Sequence, residues 1–162
     1  MRRQLTRCAI VASFAVVTAA LAADAPTVQY PAGYRQWTHV KSMQILPGHP
    51  LYDAFGGIHH LYANAKAMAG YRSGRFPDGA VIVFDLLQAD SAQNAVTEGT
   101  RKVVGVMHRD ARRYAATGGW GFEAWKGGDA RQPVMRGDAA TACFNCHTAQ
   151  KDRQYVFSAY RP

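Results

Sequence analysis

Five consecutive residues near the C-terminus, Cys143-Phe144-Asn145-Cys146-His147, constrain this chain more than any other feature. They spell C-x-x-C-H, the attachment pattern of a c-type haem. Each thiol can add across one vinyl group of the porphyrin, and the adjacent imidazole is then held beneath the ring, where it can ligate iron. A last helix is expected to begin near Asp138, carry this motif and end before Tyr155.

The compartment decides how much weight so short a motif carries. Arg2, Arg3 and Arg7 form a basic start, an apolar run extends from Cys8 to Leu21, and the small-residue site Ala20-Leu21-Ala22 follows. This reads as a secretory signal peptide over 1–22, cleaved after Ala22 or Ala23. Its apolar run of 14 residues is too short for a stable membrane span. The mature chain is expected to be exported, soluble and periplasmic. The formal charge of +8 falls to +5 without the three signal arginines, because residues 1–22 contain no acid. That balance suits an acidic redox partner or an anionic surface, and no nucleic-acid-binding pattern accompanies it.

Export removes Cys8 and leaves Cys143 and Cys146 as the only cysteines of the mature chain. A disulfide across two residues closes almost no loop and adds little stability, so the pair reads as chemistry rather than scaffolding. A thioredoxin-like redox pair would open a helix after the first strand of a βαβ unit, which this C-terminal position lacks. A zinc site would need a fourth ligand, with His59, His60 or His108 the candidates and no second C-x-x-C. Haem is the best of the three readings: one haem c, bound through Cys143 and Cys146, with His147 as the axial iron ligand.

The rest of the mature chain, 23–162, has the length of one domain. Residues 23–34 read as an arm or a poorly ordered lead-in. Alternation from Gln36 to Ile45 predicts a strand with Trp37, His39, Lys41, Met43 and Ile45 on one side. A second strand is expected over Gly57 to Ala63 and a short helix over Asn64 to Tyr71. The turn Phe76-Pro77-Asp78-Gly79 leads into the best strand, Val81 to Leu87. Another should span Arg101 to His108. Asp110 is placed to cap a helix over Ala111 to Thr117, stopped by Gly118-Gly119, and Trp120 to Trp125 alternates again. The fold class is α+β: an antiparallel sheet with short helices, the last of them carrying the motif.

The iron's other side is open to several readings. Met43, Met68, Met107 and Met135 are candidates for a sixth ligand, although core packing is the ordinary role of any one methionine. Of His59 and His60, at most one can reach iron, because neighbours on a strand face opposite ways. A strong sixth ligand makes a six-coordinate electron-transfer cytochrome, and an open position makes a gas-binding or catalytic haem.

Four segments resemble the cytochrome P-460 family, which includes the cytochromes c′-beta. They are Tyr62-Ala63-Asn64-Ala65-Lys66-Ala67, the stretch from Phe76 to Val83, the stretch from Tyr114 to Glu123, and the C-terminal run from Cys143 to Phe157. The likeness extends from about Trp37 to Arg161. It implies a β-rich periplasmic homodimer with one five-coordinate haem c that binds nitric oxide or hydroxylamine and exchanges electrons with a partner protein. If this chain is an enzyme, it is an oxidoreductase acting on those small nitrogen species. In hydroxylamine-oxidising members a lysine is bonded to the porphyrin, and Lys66, eleven residues before Pro77, stands at the matching position. Those members also keep a carboxylate above the iron. Here the matching strand reads Val103-Val104-Gly105-Val106-Met107, with Glu98 the nearest acid. A pocket walled by Phe55 and Phe84 without a base suits gas binding better than proton removal.

Overall fold

A computed structural model describes residues 27–135 and 138–161, so the expected signal peptide, 1–22, lies outside the described residues. Five strands pair antiparallel in chain order: β1 (Thr38–Ile45), β2 (Gly57–Ala63), β3 (Val81–Ala92), β4 (Ala95–Arg109) and β5 (Trp120–Lys126). Three helices interrupt them. Short α1 (Tyr52–Phe55) precedes β2, α2 (Ala65–Ser73) joins β2 to β3, and α3 (Asp138–His147) follows β5 and contains the C-x-x-C-H residues. This is the expected α+β architecture.

Local chemistry accounts for the strand–helix–strand unit at its centre. β2 and the start of β3 are rich in apolar and β-branched residues, which fit a pleated surface covered on both sides. Asn64 ends β2 and caps α2: its Oδ1 accepts from Ala67 N at 2.8 Å and Val81 N at 3.1 Å, while its Nδ2 donates to the Gly79 carbonyl at 2.9 Å. One amide thereby ties the start of α2 to the turn before β3, and Gly74, at φ +74°, ends the helix in the left-handed conformation.

The two faces of the sheet have separate cores. On the front, Ala63, Ile82, Met107 and Phe122 pack with Ala67 and Met68 of α2, with Phe76, Trp120 and Val156, and with Cys143 and Phe144 of α3. On the back, Val83, Val104, Val106 and Trp125 are covered by Val28, Tyr30, Tyr34 and Trp37. Residues 27–34 are therefore no loose lead-in. Val28 and Tyr34 are buried, and the Tyr34 hydroxyl donates to the buried Asp85 at 2.8 Å. Arg101 answers the same carboxylate with Nε at 2.6 Å and Nη2 at 3.2 Å.

Three other expectations are corrected. A bulge between His39 and Lys41 breaks the alternation of β1, so His39 shares a face with Ser42, to which it is hydrogen-bonded at 2.9 Å, and not with Met43. The strands read as Val81 to Leu87 and Arg101 to His108 belong to one long hairpin, turned at Gln93 and Asn94 with φ of 52° and 62°. Its outer arm is exposed on both sides, so it has no apolar alternation to reveal it. The helix expected over Ala111 to Thr117 is only a turn and a 3-10 segment at Ala115–Thr117. Asp110 does accept from the Arg112 and Arg113 amides, but the seven residues before Gly118 offer few helical bonds to offset nucleation.

Candidate functional site

On α3 the residues Cys143, Cys146 and His147 stand at i, i+3 and i+4, the spacing that brings side chains to one face of a helix. Cys143 is half-buried against the front core, Cys146 is exposed, and both thiols are free. Burial, the neighbouring Cys146 and the charge of Glu123 raise the Cys143 pKa, in that order. A catalytic disulfide pair depends on a lowered thiol pKa, so this environment disfavours the redox reading. Among the described residues, no three His, Cys, Asp or Glu side chains come together to hold a metal ion by themselves, which leaves the zinc reading without a ligand set.

His147 is held by the chain that follows it. Its Nδ1 lies 2.7 Å from the Tyr155 carbonyl oxygen, and its ring sits between Phe122 and Phe157, with centroids 5.1 and 5.0 Å away. A carbonyl can only accept, so Nδ1 carries the proton and Nε2 keeps the lone pair that a metal would take. Burial lowers the His147 pKa, and the bond to Tyr155 partly opposes that shift. The imidazole is thus kept neutral and oriented, the state of a histidine ligand.

The Tyr155 carbonyl is aimed by an unusual backbone. Gln154 and Tyr155 both have positive φ, 53° and 66°, a conformation that costs a non-glycine residue about 1 kcal/mol or more. Three contacts pin the turn: Trp120 Nε1 donates to the Gln154 carbonyl at 2.8 Å, Phe76 N to Gln154 Oε1 at 2.9 Å, and Tyr155 N to the Gln150 carbonyl at 2.7 Å. Motif reading does not single out Trp120, Gln154 and Tyr155, which together hold the carbonyl bonded to His147. Trp120 lay within the most specific family-like stretch, but no sequence signal joined its indole to His147.

Beside α3 the front face of the sheet is an incompletely covered apolar wall. Leu61, Phe84, Val103 and Gly105 lie next to one another on β2, β3 and β4, and each is half-exposed. The atoms nearest to a side chain at Gly105 would be those of Phe84, at an ordinary 3.7 Å, so this glycine leaves a recess in the wall. Phe55 of α1 meets Phe84 edge-on at 5.7 Å, so the two pocket phenylalanines named from sequence do come together. A flat apolar group fits these residues: two thiols and an oriented imidazole on one side, and a half-bare wall with a missing side chain beside them. They suit a porphyrin.

Other candidates are sorted by the same geometry. His60 faces the back, bonded to Ser42 Oγ at 2.6 Å and to Glu98 at 3.0 Å, so Glu98 is engaged away from the α3 side. His59 faces the front, buried, with its ring against Phe84 at 4.6 Å. Met68 and Met107 are core residues. Met135 Sδ lies 3.9 Å from Cys143 Sγ, and its amide is held by the buried Glu123 at 2.8 Å. Lys66 is exposed, and its Nζ donates to the Asp78 carbonyl at 3.1 Å. The structure therefore joins Lys66 to the Phe76–Gly79 turn.

A family model described as Cytochrome P-460 matches residues 31–158. Comparison with the curated proteins gives no match.

Proposed function

The chain belongs to the cytochrome P-460 family and is a haem protein; from that premise we propose that it is an exported protein with one covalently bound haem c, whose open iron position binds or oxidises small nitrogen species such as nitric oxide or hydroxylamine. In this reading Cys143 and Cys146 tether the porphyrin and His147 is the axial ligand. The observation that carries it is the bond between His147 Nδ1 and the Tyr155 carbonyl, which presents Nε2 as the free donor.

When bound, the haem supplies the coordination position for the ligand and, for hydroxylamine, the redox centre. This chain's own residues do the rest. The Trp120–Gln154 contact steadies the carbonyl that orients His147. Phe55, Phe84, Leu61 and Val103 form an apolar wall that favours a small, weakly polar ligand. Among the described residues, Glu98 is paired with His60, and the buried Glu123 is occupied by the Ala124 and Met135 amides. Binding of nitric oxide is accordingly favoured over oxidation of hydroxylamine, which needs a proton acceptor. A porphyrin bond to Lys66 belongs to the proposal on the strength of the resemblance alone, and it would require the ammonium to leave the Asp78 carbonyl.

The test is the visible spectrum of protein matured with a haem-attachment system, before and after addition of nitric oxide or hydroxylamine. High-spin ferric bands that change on addition support the reading. A low-spin spectrum with a methionine–iron charge-transfer band would instead establish the six-coordinate electron carrier, and colourless protein with the mass of bare polypeptide would end the haem reading. Peptide mapping of the same material decides Lys66: haem recovered only on the Cys143–Cys146 peptide excludes the cross-link.

A further inference from the structure

Among the described residues, two buried side-chain polar atoms have no hydrogen-bond partner, His59 Nδ1 and Arg109 Nε. The second belongs to a guanidinium already engaged through Nη1 with the Gly118 carbonyl and lying over Trp120. His59 is different. It is only 4% exposed, its ring lies against Phe84, and a buried imidazole nitrogen without a partner costs about 1–3 kcal/mol. Such a group calls for a partner that the polypeptide does not supply.

Its position suggests what the partner is. Alternation along β2 puts His59 on the front with Leu61 and Ala63, while His60 turns to Ser42 and Glu98 on the back. The His59 ring lies against Phe84, tilted by 35°, and Phe84 in turn meets Phe55. His59 is thus the polar member of the half-bare wall described above. Resting on the haem reading, we propose that His59 is the hydrogen-bonding residue of the pocket wall, donating a ring N–H to the outer atom of a small ligand held on the open side of the iron. Burial, assisted by the charges of His60 and Lys41, lowers its pKa to about 4, so at neutral pH the ring is uncharged with one N–H to give. The chemistry selected is that of a diatomic or similarly small ligand with an acceptor atom at its far end. A neutral imidazole of this kind stabilises bound ligand and is a poor acceptor for the protons that oxidation of hydroxylamine releases.

The experiment uses the holoprotein and carbon monoxide as probe. Infrared spectra of the ferrous carbonyl and its rate of ligand release are compared for wild type, His59→Leu and His59→Gln. The expected result for His59→Leu is a higher C–O stretching frequency and release about tenfold faster, the effect of one lost hydrogen bond. His59→Gln should recover part of both. Should the leucine variant fail to fold, the wild-type carbonyl in light and heavy water still decides, because a hydrogen-bonded ligand shifts its frequency on exchange. Identical frequencies and rates in all variants, or no isotope shift in wild type, overturn the assignment while a five-coordinate haem leaves the broader reading intact. A low-spin wild type that becomes high-spin in His59→Leu would make His59 an iron ligand and overturn both.

Discussion

Acidification should destabilise this protein through His59 in a window set by its two pKa values. The unfolded imidazole titrates near 6.5, and burial lowers the folded value to about 4. Between those limits the unfolded chain binds one more proton than the folded one, so stability rises with pH by about 1.36 kcal/mol per unit. The contribution is complete above about pH 6.5, falls as pH drops, and is gone below about pH 4; over the window it amounts to roughly 3 kcal/mol. With 4% of the residue exposed, solvent screening removes little of this. The neighbouring Lys41 and His60 charges act in the same direction as burial. The assay is urea unfolding, followed by tryptophan fluorescence, of wild type and His59→Gln from pH 7 to pH 5. His147 and His108, whose pKa values are also lowered by burial, weaken both proteins alike and cancel in the difference. Wild type should lose about 2 kcal/mol more than the variant between pH 6.5 and 5, with equal denaturant slopes. Parallel curves would refute the argument, because they would mean that the folded protein accommodates the His59 proton as easily as water does.

Three further outcomes are expected. Asp85→Ala, which strands Arg101 and the Tyr34 hydroxyl on the back face, should cost about 3 kcal/mol in the same unfolding assay, whereas Glu98→Gln at the exposed His60 pair should leave the unfolding midpoint nearly unchanged. Trp120→Phe removes the indole donor to the Gln154 carbonyl and should cost about 1–3 kcal/mol; in the ferrous holoprotein the iron–histidine stretch should also move, because the Tyr155 carbonyl loses its support. Gly105→Leu fills the recess beside Phe84, so the polypeptide should fold with little loss while the haem stain per mole of protein falls; undiminished staining would show that the porphyrin does not approach this strand.

Much of the site was legible in local pattern. The spacing of Cys143, Cys146 and His147 brings them to one face of any helix they occupy, and a helix starting at Asp138 was readable from the chain. The strand from Gly57 to Ala63, the short helix expected over Asn64 to Tyr71 and the Phe76–Gly79 turn follow from residues adjacent in sequence, and the structure reproduces them, with the helix at Ala65–Ser73. The same local logic fails where a segment's environment comes from far away. Nothing near Val28 or Tyr34 announces that the back of the sheet will receive them, and the polar arm of the β3–β4 hairpin is a strand only because its two halves pair with each other.

The residues themselves therefore determined a helix bearing two thiols and an imidazole, several strands of period two, and the turns between them, because each depends on backbone preferences over a few positions. Tertiary structure decided which of two neighbouring histidines stands beside Phe84, that Glu98 is spent on His60, and that a strained turn at Gln154 and Tyr155 sets the proton on His147. Strand alternation separates two faces without saying what will cover either. Only pairing across the sheet, with the packing of distant segments on each side, settles that choice.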